Sequence, residues 1–141
     1  MRYWAIVIVA IFGVIGCEKK QGNNSSVKVV PAAETEAVMV EPRELAHLLK
    51  EKPKLVVIDI RTPAEFAGGH IKGAVNIDFQ REGFAEAIAT LNAGVPTVFH
   101  CRSGGRSGQA QSLFESLPFT ELYHFAAGSN GWSAAGYPIN Q

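Results

Sequence analysis

The sequence predicts an α/β fold, a parallel sheet of five strands covered by helices on both faces. Three observations carry that expectation. Leu55-Val56-Val57-Ile58-Asp59-Ile60 and Pro96-Thr97-Val98-Phe99-His100 are nearly continuous apolar, β-branched or aromatic runs, which suits strands buried on both faces rather than one. Segments with apolar residues at helical spacing lie between the strand-like runs, and that alternation is the pattern of parallel crossovers. The stretch His100-Cys101-Arg102-Ser103-Gly104-Gly105-Arg106-Ser107 follows the second run and leads into a helical pattern from Arg106 to Leu117. Sheets of this class carry their sites where strands end and helices begin.

The elements follow in order. Val38-Met39-Val40 is a short strand. Pro42 opens a helix in which Leu45, Leu48 and Leu49 recur on one face, and Pro53 lies beyond its end. After the strand at 55–60, Thr62 is an N-cap with Pro63 at the first helical position, and Gly68-Gly69 ends that short helix. Ala74-Val75-Asn76-Ile77 is a third strand. Phe84, Ile88 and Leu91 mark an amphipathic helix closed by Gly94. The strand into Cys101 comes next, and Ala110, Leu113, Phe114 and Leu117 line the helix after it. Leu122-Tyr123-His124-Phe125 is the last strand, followed by a segment marked by Gly128, Trp132 and Gly136-Tyr137-Pro138. No internal repeat is visible.

At 141 residues there is room for one domain. The formal net charge is zero, so no nucleic-acid footprint is present. Part of the apolar content is local to residues 1–16, where Arg2 precedes an uninterrupted apolar run that ends at Gly16-Cys17. A positive start, an apolar stretch and a small-residue end form a secretory signal layout. The run is shorter than the roughly 20 residues a spanning helix needs. Val14-Ile15-Gly16-Cys17 resembles the bacterial lipobox. That resemblance implies cleavage before Cys17, acylation of its sulfur and a lipid anchor on the periplasmic side of a bacterial membrane, Glu18 favouring the outer membrane. Residues 17–36 then form the anchor cysteine and a polar linker with Gly22-Asn23-Asn24-Ser25-Ser26; Val27 to Val30 is a weak strand pattern within it. The folded domain occupies residues 37–141.

Only two cysteines are present, Cys17 and Cys101. With Cys17 acylated, Cys101 is a lone thiol with no resolving partner, which disfavours dithiol redox chemistry. The thiolate is the reactive form of cysteine, and cationic neighbours and a helix N-terminus both favour it. Arg102 and Arg106 bring positive charge to the loop. Gly104 and Gly105 let its N–H groups turn inward where a Cβ would obstruct. Cys101 is therefore the candidate nucleophile, with Arg102, Ser103, Gly104, Gly105 and Arg106 as candidate anion binders. Scattered histidines without a second free thiol indicate no metal site, and no cofactor is expected.

Five pieces in order resemble the rhodanese family of sulfurtransferases. These are Asp59-Ile60-Arg61; Glu65-Phe66; Gly69-His70-Ile71-Lys72-Gly73-Ala74-Val75-Asn76-Ile77; Cys101 to Ser107; and Gly128, Trp132 and Gly136-Tyr137-Pro138. The resemblance covers roughly Val38 to Ile139. It departs from the family at Ala127, where the closing signature normally has glycine, a change expected to touch packing rather than chemistry. What the resemblance implies is a three-layer α/β/α domain with strand order 3-2-4-5-1. It also implies sulfur transfer from a donor such as thiosulfate to cyanide or a thiol through a persulfide on Cys101. Related phosphatases and arsenate reductases share the fold but carry Cys-(x)5-Arg, whereas Cys101 and Arg106 enclose four residues. A rhodanese-like sulfur carrier or binding module without catalysis is the other alternative.

Asp59 and Arg61 are expected to be structural supports, with Asp59 pairing a loop arginine and orienting it. His100 precedes the nucleophile, but successive strand side chains point to opposite faces, which places it beneath the loop rather than as a base. His70 is expected to be a structural hydrogen-bonder, and Trp132 and Tyr137 core residues. Phe66, Phe79 and Phe84 are expected at the rim of the site.

Overall fold

The computed structural model describes residues 35–141; residues 1–16, expected to be a signal segment, Cys17 and nearly all of the expected linker lie outside the described residues. The sheet contains β1 (Val38–Met39), β2 (Val56–Asp59), β3 (Val75–Asn76), β4 (Thr97–His100) and β5 (Leu122–Phe125). Their order is β1-β5-β4-β2-β3 and every pairing is parallel. Read from the other edge, this is the expected 3-2-4-5-1.

Alternation along the central strands divides the core in two. Ile58, Ile60, Phe99 and Leu122 enter one cluster with Ile88, Phe114 and Phe119. Val57, Val98 and Phe125 enter the other with Leu45, Ile71 and Trp132. Such two-sided burial explains why these strands lack a polar face. On the first side Phe99 stacks on Phe114 at 4.1 Å between ring centroids.

The helices are α1 (Pro42–Glu51), α2 (Pro63–Ala67), α3 (Phe84–Ala89), α4 (Gly105–Glu115) and α5 (Gly128–Ala134). In α1, Pro42 occupies the first turn, and the Glu44 carboxylate accepts from the Glu41 N–H at 2.8 Å, closing a capping box. In α2, Thr62 and Glu65 form a second box, the Glu65 N–H donating to Thr62 Oγ1 at 3.3 Å and Glu65 Oε2 accepting from the Thr62 N–H at 3.0 Å.

Two elements differ from the expected pattern. The helix projected to run to Gly94 stops at Ala89, where Thr90 Oγ1 donates to the Ala87 carbonyl at 2.7 Å. Asn92 then turns the chain, its side chain accepting from the Gly94 N–H at 3.0 Å. Leu91 still packs against the core from outside the helix. Conversely, Gly128–Ala134 forms a helix in the closing segment, for which the sequence pattern named no element. Ala127 has φ −61° and ψ −25°, ordinary helical values, so alanine costs nothing in backbone conformation at that departure from the family pattern.

Candidate active site

Cys101 follows β4 directly and is buried, with 1% of its surface exposed. The chain must reverse within Cys101 to Gly104 to enter α4, and Gly104 makes that possible at φ +89°. A Cβ there would lie 2.7 Å from the Ala126 carbonyl oxygen. Gly105 differs from expectation: its φ is not left-handed, and an added Cβ would meet nothing within 4 Å. Gly104→Ala should therefore destabilise the domain by about 1–3 kcal/mol, with Gly105→Ala close to neutral. Urea denaturation of the two variants checks the difference, and equal losses would contradict it.

The first turn of α5 holds the loop from behind. The N–H groups of Ser129 and Asn130 donate to the carbonyls of Cys101 and Arg102, both at 3.0 Å. Gly128, at φ +62°, allows this approach, since a Cβ there would sit 2.5 Å from the Cys101 carbonyl oxygen. His100, fully buried, supplies a further donor to that carbonyl through Nδ1 at 2.9 Å. Burial pushes the His100 imidazole below its usual range, against opposing contributions from Asp59 and the Cys101 carbonyl. With the carbonyls drawn backwards, the loop's N–H groups are free to face the sulfur.

Those groups set the state of the thiol. Burial pushes Cys101 up. The Ser107 N–H and hydroxyl and the N–H groups of Ser103 and Gly104 pull it down, and the balance lies below the ordinary thiol value. The expected weight on the arginines changes accordingly. Arg102 is exposed. Arg106 does feel the Cys101 charge, but its main partner is Glu65. Backbone donors and Ser107 outweigh the guanidinium groups.

Glu65 accepts from Arg106 Nη1 at 2.7 Å and Nη2 at 2.8 Å, a two-pronged pair. Arg106 holds the Glu65 carboxyl down at about 2, with the Thr62 bonds helping against burial. Glu65 belongs to the capping box of α2, so the helix start that orders it also aims it at the cysteine loop. The folded-state value lies below the ordinary 4.5. The pair's contribution to stability is therefore complete above about pH 4.5 and is lost as the pH falls towards 2. Denaturation midpoints of Glu65→Gln should show a shallower acid decline than the parent over that window. Parallel declines would contradict the assignment.

Asp59 pairs differently from expectation. Its carboxylate accepts from Arg61 Nε at 2.9 Å and Nη2 at 2.6 Å, not from a loop arginine. Arg61 Nη2 also donates to the Gly69 carbonyl at 2.8 Å, and Asn76 Nδ2 donates to the carbonyls of Asp59 and Arg61 at 2.9 and 2.7 Å. Together these bonds tie the ends of β2 and β3 to the segment after α2. Asp59 and Arg61 support structure, two residues apart on one strand end and both buried.

His70 joins the C-terminal segment through paired backbone bonds with Asn140, and its Nδ1 lies 3.2 Å from the Phe66 carbonyl. Trp132 is buried and stacks on Tyr137 at 4.4 Å. The three phenylalanines divide between two places, Phe84 and Phe79 in the cluster that also contains Cys101 and Phe66 outside it. Phe84 is core, Phe79 packs edge-on against it at 5.2 Å, and Phe66 stacks on His70 at 3.9 Å.

Sequence reasoning missed Glu65 as a site residue, along with the contacts of Ser107 and His124. Ser107 Oγ lies 3.6 Å from Cys101 Sγ, and His124 Nε2 lies 2.9 Å from the same hydroxyl. In sequence Glu65 stood out only as part of the Glu65-Phe66 piece of the family resemblance. Nothing in sequence linked it to an arginine 41 positions later.

Fold and site define a class of protein: parallel α/β domains that hold one acidified thiol in a ring of N–H donors at the end of a central strand. Within that class the chain belongs to the rhodanese-like domain family, which residues 41–135 match. It is 35% identical over 97 residues to the thiosulfate sulfurtransferase GlpE of Pseudomonas putida, covering 69% of this chain and 86% of that protein. It is 28% identical to the thiosulfate:glutathione sulfurtransferase of Saccharomyces cerevisiae, over 62% of this chain and 70% of the yeast protein. Among solved structures it resembles the polysulfide-sulfur transferase homodimer of Wolinella succinogenes with a TM-score of 0.61 and 26% identity, covering 77% and 82% of the two chains.

Proposed function

We propose that the protein is a sulfurtransferase that carries sulfane sulfur as a persulfide on Cys101. Family membership and the sulfurtransferase names of its relatives support sulfur transfer in general. The observation that carries the finer reading is the acidified thiol ringed by Ser103, Gly104 and Ser107 donors. Donors that stabilise a thiolate also stabilise the anionic outer sulfur of a persulfide. With thiosulfate as donor, the Cys101 thiolate attacks the outer sulfur, a new S–S bond forms, and the donor's S–S bond breaks. Sulfite leaves with the bonding electron pair. A nucleophilic acceptor, cyanide or a thiolate, then attacks the outer sulfur of the persulfide, and the Cys101 thiolate returns. Arg102 and Ser103, exposed at the loop, attract the dianionic donor, while Arg106 stays tied to Glu65.

Intact mass spectrometry of the full chain after thiosulfate tests this reading. A gain of one sulfur atom that cyanide removes is expected. No gain, with hydrolysis of an aryl phosphate instead, would indicate a phosphatase.

We also propose that Cys17 is acylated and holds the domain at the periplasmic face of a bacterial membrane, the outer membrane being favoured. The support is the signal layout of residues 1–16 ending at Cys17. Cells fed a labelled fatty acid should label the protein but not a Cys17→Ala variant; label on the variant would exclude this anchor.

A further inference from the structure

Ser107 carries one hydroxyl proton but lies near three polar atoms. They are Cys101 Sγ at 3.6 Å, the Gly104 carbonyl at 3.3 Å and His124 Nε2 at 2.9 Å. A thiolate and a carbonyl can only accept. The imidazole is thus the single neighbour able to donate to the hydroxyl oxygen, and the direction of that one bond decides where the serine proton points. If Nε2 accepts, the serine proton is spent on the histidine and the sulfur loses a donor. If Nε2 donates, the proton is released towards the sulfur side.

The surroundings of His124 favour the second arrangement. It is 3% exposed, and its Nδ1 is buried with no hydrogen-bond partner. Were the ring proton on Nδ1, a buried N–H would be orphaned, which folded proteins tolerate less readily than an under-used acceptor. The ring is fixed in plane by stacking on Phe99, its register neighbour on β4, at 4.6 Å and 6°. Phe99 is itself stacked on Phe114. Burial lowers the His124 pKa against a smaller opposing pull from Glu115, which favours the neutral ring with one proton.

We propose that His124 is a positioning residue that donates through Nε2 to Ser107 and so aims the serine hydroxyl at the Cys101 sulfur. It touches neither the sulfur nor any substrate, and its effect passes wholly through Ser107. The proposal rests on Cys101 being the working thiol of the proposed function. Arg106 on α4 is engaged by Glu65 on α2. Glu115 on α4 accepts from the Ala37 N–H and from Gln111. Asp59, Arg61 and His100 interact with one another through side chains on the opposite face of β2 and β4.

The test is the pH titration of thiolate ultraviolet absorbance in the full chain, taken as a difference against a Cys101→Ser variant so that Cys17 cancels. His124→Phe keeps a ring to stack on Phe99 but has no donor. At a pH below the parent's midpoint it should hold about 3- to 10-fold less thiolate, the weight of one hydrogen bond. His124→Gln, whose amide reaches about as far as Nε2, should restore most of it. In a Ser107→Ala background, His124→Phe should change nothing further. Three results would overturn the proposal: an unchanged His124→Phe midpoint, no recovery with Gln, or an equal loss in the Ser107→Ala background. Nitrogen NMR of the parent's imidazole offers a check that needs no variant, and a proton found on Nδ1 would equally overturn it. Thiolate absorbance, read on the chain stripped of any bound sulfur, requires no sulfur transfer. A chain that shows the coupling but gains no sulfur mass therefore refutes the sulfurtransferase reading and not this one.

Discussion

Cys101→Ser should lose sulfur loading and transfer altogether, by on the order of 10³-fold or more in rate. The cradle stabilises an anion, but it acts on a group whose ordinary ionisation must already lie within reach of neutral pH. A thiol meets that condition and a serine hydroxyl does not. Because the exchange replaces one buried atom by a smaller one, the fold should persist, and a thermal melt should show this. The decisive measurement is the mass gain after thiosulfate together with thiosulfate:cyanide turnover in purified variant. Turnover that survives in folded Cys101→Ser protein would remove the persulfide mechanism, whatever the family.

Asp59→Ala should produce the largest loss of stability. Asp59 is fully buried and Arg61 is 6% exposed, so removing the carboxylate strands a guanidinium with only the Gly69 carbonyl to receive it. Breaking a buried pair from one side costs about 3–5 kcal/mol, a large share of the roughly 5–15 kcal/mol that holds a domain folded. The melting temperature should fall by more than about 10 °C. Replacing both partners with apolar residues of similar size should cost much less, because no charge is then left without a partner. If the single and double variants melt together, the pair is not what ties β2 to the segment after α2.

The remaining contacts show how the loop is assembled from three separate parts of the chain. Strand β4 delivers the cysteine. Helix α2, through Glu65, engages Arg106, and helix α5 draws the Cys101 and Arg102 carbonyls backwards. A cysteine loop of this sequence without the other two parts would retain its glycines but not the inward direction of its N–H groups. That geometry is what lowers the thiol, since backbone donors and Ser107 supply the strongest pull against burial.

The sequence by itself determined the parallel α/β class, the strands, the helix starts with proline or capping signals, and the placement of Cys101 at a strand end. These are local facts: β-branched runs, cap spacing and a glycine at the one loop position that needs φ +89°. It did not determine which charge meets which. Asp59 takes Arg61 rather than a loop arginine, because both lie at the same buried strand end. Arg106 takes Glu65, because the α2 capping box presents that carboxylate to the loop. The tertiary structure also decided that Gly128–Ala134 is helical. Its N–H groups are satisfied by carbonyls of the cysteine loop, which no local signal in a glycine-rich segment can announce. Ser107 and His124 meet only because parallel pairing sets β5 beside β4 and α4 packs above them. Long-range pairing of buried polar groups is what sequence periodicity leaves open, and here it sets the state of the thiol.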